Sequence, residues 1–153
     1  MHSRGTVETM ASYAHADYDD VITAVQSELS ELVGRAENAG VSSRAIVIDP
    51  GLGFSKRTEH SLTLLSRLDE LAGMGYPVLV GPSRKRFLAD AAGGLPIEQR
   101  LEGTIAACCI ALQKGARLFR VHEPAPVRRA LALAEAVRNA GPSSAGRPQE
   151  GVS

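Results

Sequence analysis

"YPVLVG", residues 76–81, is short, nearly all apolar, and closed by Gly81-Pro82. A continuous apolar run of this length suits a parallel strand buried on both faces. Two more runs of the same kind flank it, "RAIVID" (44–49) and "ARLFRVH" (116–122). Helical patterns fill the intervals. Asp19 or Asp20 can cap a helix whose apolar face is Val21, Ile22, Val25, Leu29, Leu32, Val33 and Ala36, with Gly40 as its stop. A second helix is expected from about Thr58 through Leu62, Leu65, Leu68 and Leu71 to Gly73. A third is split into a turn at 84–91 and a longer piece at 99–114. The fourth starts near Pro124 and runs through Val127, Leu131, Leu133, Ala134 and Val137. Strands alternating with helices mean a parallel α/β sheet, either open and doubly wound or part of a (β/α)8 barrel. A complete barrel takes ~250 residues. A chain of 153 residues supplies about half of one. The domain is expected over 1–140. The composition changes at "AGPSSAGRPQEGVS", so 141–153 reads as a disordered tail.

Charge narrows the function classes. Lys plus Arg and Asp plus Glu both number 17, so the basic triplet Arg84-Lys85-Arg86 belongs to no global basic field. That counts against nucleic-acid binding, which usually shows a clear basic excess. No apolar run is long enough for a membrane span and no signal-like start is present, so a cytoplasmic protein is expected. Cys108 and Cys109 are adjacent and would point about 100° apart on a helix, poorly placed to bridge or to share a metal. They read as small buried residues of a reduced protein. No His/Cys cluster suggests zinc.

In either architecture ligands bind at the carboxyl ends of the strands. The first run ends in Asp49-Pro50-Gly51-Leu52-Gly53-Phe54, a carboxylate on rigid backbone followed by two glycines and an aromatic wall. The second delivers Gly81, Ser83, Arg84 and Lys85. The third ends Arg120-Val121-His122, where period-two alternation puts Arg120 and His122 on one side. Each feature alone has a plainer explanation: a turn, a helix cap with solvated cations, or an ion pair. Together they bring one carboxylate, several cations and a histidine to one rim, which suits an anionic group beside a polar ring.

"MHSRG" (1–5), "IDPGLGF" (48–54), "VLVGPSRKRFL" (78–88) and "RVHE" (120–123) stand in the order and spacing of bacterial dihydropteroate synthase, and the chain resembles that family over residues 1–140. The resemblance implies a (β/α)8 barrel that joins a pterin pyrophosphate to p-aminobenzoate in folate synthesis, releasing pyrophosphate. It implies that Asp49 bonds the amino and ring N–H edge of the pterin and that Lys85 reaches its carbonyl and ring nitrogen. Arg120 would lie over the ring and meet the pyrophosphate, and His122 would bind the pyrophosphate. Met1, Gly81 and Phe54 would line the pterin slot. Phe54, with Ser83 and Arg86, would stand on the p-aminobenzoate side, and Arg84, Gly51 and Gly53 would support the site. The position of Arg86 is often Ser in the family.

"MHSRG" normally follows the fifth strand, so this chain corresponds to the C-terminal part of the barrel, about three strands with flanking helices. The resemblance implies Mg2+ as cofactor, bound mainly by pyrophosphate and by groups of the other half, with no ligand in this chain. It also implies a homodimer through the C-terminal helices, and no nucleic-acid or membrane partner. The expectation is an N-terminally truncated synthase, inactive alone. The alternatives are a non-catalytic half-barrel that needs a partner chain, or another pterin-binding barrel of methyltransferase type.

Overall fold

The structure, a computed structural model, describes residues 1–140; the tail expected at 141–153 lies outside them. Helix α1 spans Val21–Asn38. Of the two candidate caps it is Asp20 that acts, its Oδ1 accepting from the N–H groups of Ile22 (2.9 Å) and Thr23 (3.1 Å). Gly40 follows the helix at φ +91°, the left-handed stop expected of it. Val21, Ile22, Val25, Leu29 and Val33 are buried as expected, whereas Leu32 is 41% exposed at the flank of the stripe.

The sheet is parallel. Strand β1 is Leu79–Val80 and strand β2 is Leu118–Phe119, with Leu79 opposite Leu118 and Val80 opposite Phe119. Ile48 adds a parallel bridge to Val78 on the other side of β1. The sheet has the expected order, yet its regular pairing is much shorter than the apolar runs. The run at 44–49 shrinks to the single bridge, and Ser43–Ala45 is a 3-10 turn. Ile48 uses both its peptide groups on β1: its N–H donates to Pro77 O (3.0 Å) and its C=O accepts from Leu79 N–H (2.8 Å). In a parallel strand the neighbouring residues then face the opposite way. There, Asp49 O accepts from His2 N–H (2.8 Å), while Val47 stands 42% exposed. An edge with so little beside it does not sustain a long ladder.

The second helix is broken. Helix α2 (Thr58–Ser66) and helix α3 (Leu68–Ala72) meet at Arg67; Leu65, Leu68 and Leu71 are buried as expected, whereas Leu62 is 40% exposed and Leu64 is buried with them. Helix α4, Arg86–Ala91, begins two residues later than expected. Arg84 has φ +59° and Lys85 is extended, which keeps both out of the helix. A 3-10 turn at Ile97–Gln99 leads into α5, Leu101–Gln113, with Cys108 buried, Cys109 partly exposed, and both thiols free. Helix α6 is Pro124–Asn139. Among its expected apolar residues only Val127 is buried; Leu133 (69% exposed) and Val137 face outward, because little of the fold lies beyond α5 to cover them.

Ile22, Val25, Leu64, Leu68 and Leu71 of the helices close over Ile48, Val78 and Val80 of the sheet in one continuous core. Burying each such side chain is worth ~1.5–3 kcal/mol, and this layer fixes where the strands end. Among the described residues no helix is long and apolar enough to cross a membrane.

Candidate ring-and-anion site

The carboxyl ends of the Ile48 bridge, β1 and β2 deliver their polar residues to one rim. Asp49, the residue after the bridge, is largely buried, and its Oδ1 accepts from Gly51 N–H at 2.7 Å. Its Oδ2 has no protein donor among the described residues. The loop that follows needs its glycines. Gly51 has φ +66°, and a Cβ there would come within 1.9 Å of His2 O. Gly53 has φ +73° and leaves room for the Lys85 chain, whose Cδ would lie 3.0 Å from a Cβ.

Lys85 crosses from the β1 end to this loop. Its Nζ donates to Leu52 O (2.6 Å) and lies 3.4 Å from the centroid of the Phe54 ring, a cation–π contact. Burial pulls its pKa down to about 8; the Asp49 carboxylate opposes this and Arg120 adds to it. Asp49 and Arg120 therefore both stand close enough to act on the Lys85 charge. Arg120 is held by its N–H on Val80 O (3.0 Å), and its guanidinium lies over Gly81, where a Cβ would meet Nε and Nη2 at 3.1 Å. Ser83 Oγ takes the N–H of His122 (3.2 Å) and pairs with its Nδ1 (2.9 Å), so Nε2 is the ring nitrogen left for other partners.

The remaining expected residues stand further out. Arg84 braces the rim: its N–H donates to Thr104 Oγ1 (3.2 Å), its C=O accepts from Arg100 (2.9 Å), and its guanidinium pairs with Glu123 (3.1 Å). Arg86 bonds the Tyr13 hydroxyl, stacks 4.5 Å from the Tyr13 centroid, and lies 3.7 Å from Asp90. That holds it outside the Asp49–Lys85–Arg120–His122 group. Met1 is 46% exposed; it touches the Gly51 side of the loop and also lines an apolar groove with Leu29, Leu32, Val33 and Val47.

Sequence reasoning missed the layer beneath the loop. His2 is buried, with Nε2 on Glu28 Oε2 (2.9 Å) and Nδ1 on Lys56 Nζ (2.8 Å). Lys56, 2% exposed, also donates to Phe54 O (3.0 Å) and Gly51 O (3.3 Å). Arg4 grips Glu28 through Nη2 (2.5 Å) and Nε (3.0 Å) and lies 4.0 Å from the Tyr18 ring centroid. Burial, then Lys56, lowers the His2 pKa to about 4, and burial lowers that of Lys56 to about 7. The hydrogen bond from Arg4 leads in holding Glu28 below the usual carboxylate range. "HSR" lies inside the first motif and "SK" directly after the second, but Glu28 on α1 joins them only in three dimensions.

A carboxylate with a free oxygen, an ammonium, a guanidinium and an imidazole on one rim can read a donor-rich heterocycle and neutralise an anion beside it. Among the described residues no three His, Cys, Asp or Glu side chains cluster as a metal site would require.

The polar set thus stands at the strand ends of a parallel α/β sheet. Residues 1–122 match the pterin binding enzyme family, and the chain belongs to it. It is 39% identical over 125 residues to dihydropteroate synthase of Bacillus subtilis (strain 168), covering 82% of this chain and 44% of the relative. The crystal structure of dihydropteroate synthase from Thermus thermophilus in complex with 4-aminobenzoate superposes with a TM-score of 0.80 at 45% identity, covering 87% of this chain and 53% of that one. The same enzyme in complex with 6HMPPP gives a TM-score of 0.80 at 45% identity, over 87% and 51%. The chain thus spans about half the length of the relatives it matches.

Proposed function

We propose that this chain supplies the C-terminal half of a dihydropteroate synthase barrel, which condenses 6-hydroxymethyl-7,8-dihydropterin pyrophosphate with p-aminobenzoate and releases pyrophosphate. The observation that carries the reading is the convergence of Asp49, Lys85, Arg120 and His122 on one rim from three parallel strand ends. Asp49 takes the amino and ring N–H groups of the pterin on its free oxygen. Lys85 has hydrogens beyond the one given to Leu52 O and offers them to the ring carbonyl and nitrogen. Arg120, lying flat over Gly81, covers the ring and reaches the pyrophosphate. His122, oriented by Ser83, turns Nε2 to the same anion.

Loss of pyrophosphate leaves a pterin cation that a weak aniline nucleophile can attack, so the step calls for stabilisation of the leaving group more than for a strong base. Arg120 and His122 supply that, and Phe54 walls the p-aminobenzoate side. Ser83 acts on the pyrophosphate side, through His122, and Arg86, turned to Tyr13 and Asp90, would have to leave them to meet the benzoate carboxylate. Mg2+ belongs to the family reading, but the described residues alone do not fit it as a protein-held ion. No step is routed through it.

The half-barrel reading is supported by the exposed Val47 edge and by the half-length match. It keeps residues 1–140 as one domain of a cytoplasmic enzyme. The outward Leu133 and Val137 of α6 are where a second copy would form a homodimer. The test is dihydropteroate formation by the 153-residue chain alone and after mixing with the N-terminal half of the Bacillus subtilis relative. The chain alone gives no product, the mixture gives product, and Asp49→Asn removes it. Turnover by the chain alone, or an Asp49→Asn mixture as active as the parent, overturns the reading.

A further inference from the structure

Lys56 is a buried ammonium with three acceptors in reach, one for each N–H: His2 Nδ1, Gly51 O and Phe54 O. The two carbonyls bracket the turn at 51–54. The turn they bracket gives Asp49 its Gly51 N–H at 2.7 Å and gives Lys85 its Leu52 O at 2.6 Å. Lys56 therefore stands one bond behind both groups that face the rim. The third acceptor, His2, is tied to Glu28, and Glu28 to Arg4, so the clamp extends to the first turn of chain and to α1. A buried cation is costly to keep, and an apolar side chain of similar length would fill the space with less penalty. What an apolar replacement lacks is the ability to set two carbonyls and an imidazole at fixed directions.

We propose that Lys56 is a positioning residue, which clamps the 51–54 turn to His2 and thereby sets the Asp49 carboxylate and the Phe54 ring against Lys85 for the incoming pterin. This rests on the pterin reading of the site. The charged and titratable groups around the clamp are His2, Glu28 and Arg4 below it, Asp49 and Lys85 above it, and Tyr18 (ring centroid 6.0 Å from Nζ) and His60 beside it.

The experiment uses the 153-residue protein, its Lys56→Met and His2→Gln variants, and Leu71→Ala as a core variant remote from the turn. Amide hydrogen exchange is followed at residues 51–55 and along α1 and α5, and 6-hydroxymethylpterin affinity is measured by fluorescence titration. Lys56→Met should speed exchange at 51–55 and weaken the pterin by about tenfold each, as the loss of a charge-assisted hydrogen-bond set implies. Exchange in α5 should stay unchanged, and Leu71→Ala, though less stable, should keep its pterin affinity. Equal affinity in Lys56→Met and the parent, or an equal loss in Leu71→Ala, overturns the proposal. If Lys56→Met fails to fold cooperatively, His2→Gln, which removes one acceptor of the three, carries the same two readouts. A parent that binds no pterin overturns the ring reading, and the exchange pattern at 51–55 then judges the clamp by itself.

Discussion

Gly51→Ala isolates the contact between the start of the chain and the Asp49 loop. Two costs add at this position. Alanine must adopt φ +66°, a left-handed conformation that costs an L-residue roughly 1–2 kcal/mol. Its Cβ would also arrive 1.9 Å from His2 O, a backbone atom that cannot swing aside. To reach ordinary contact the first residues must move by more than a bond length. That breaks the His2 N–H bond to Asp49 O (2.8 Å) and strains the His2–Lys56 bond (2.8 Å). At about 1 kcal/mol for each hydrogen bond, the total comes to roughly 3–4 kcal/mol, a large part of the ~5–15 kcal/mol that holds a domain together. Gly40→Ala is the matched control, since Gly40 has φ +91° with nothing within 4 Å of its Cβ position. It should lose only the conformational term, roughly 1–2 kcal/mol. Urea unfolding followed by far-UV circular dichroism measures both. A Gly51→Ala variant no more destabilised than Gly40→Ala would refute the contact between residues 1–5 and the loop.

Stability should rise with pH through two buried bases. His2 is lowered from 6.5 to about 4, so between these values the unfolded chain binds the extra proton, and stability falls as pH drops through that window. Lys56 is lowered from 10.5 to about 7, so stability rises as pH climbs from about 7 towards 10.5. Lys56→Met should flatten the window between about 7 and 9 in urea melts repeated across pH, leaving the smaller slope from Lys85, while above about 9 the raised Cys108 thiol opposes it. Ser83→Ala frees His122 Nδ1 and should weaken inorganic pyrophosphate binding by roughly fivefold, the value of one hydrogen bond, with little change in melting temperature. Pyrophosphate titration calorimetry checks it.

The strand ends were legible in the sequence because an apolar run stops where charge begins, and that transition survives even though the ladders themselves are short. Asp49, Lys85, Arg120 and His122 all emerge at such transitions, and the structure brings them to one rim. The break between α2 and α3 at Arg67 was illegible because no Gly or Pro marks it, and Leu62 lies at the flank of a stripe that Leu64, Leu65, Leu68 and Leu71 fill. Burial on α6 was overestimated because periodicity reports an apolar face without saying what covers it, and Leu133 and Val137 have nothing over them among the described residues. The Lys56–His2–Glu28 layer was illegible for a different reason. A buried lysine looks like a surface lysine until its partners, up to 54 residues away, are in place.

The central claim is that this rim reads a pterin through Asp49, and the most direct measurement is equilibrium titration of 6-hydroxymethylpterin into the 153-residue chain beside its Asp49→Asn variant. The account predicts weak, saturable binding by the parent that Asp49→Asn reduces by about tenfold or more, as expected when a carboxylate that accepts from ring donors becomes an amide. Equal binding by the two proteins, or no binding by the parent, would contradict it.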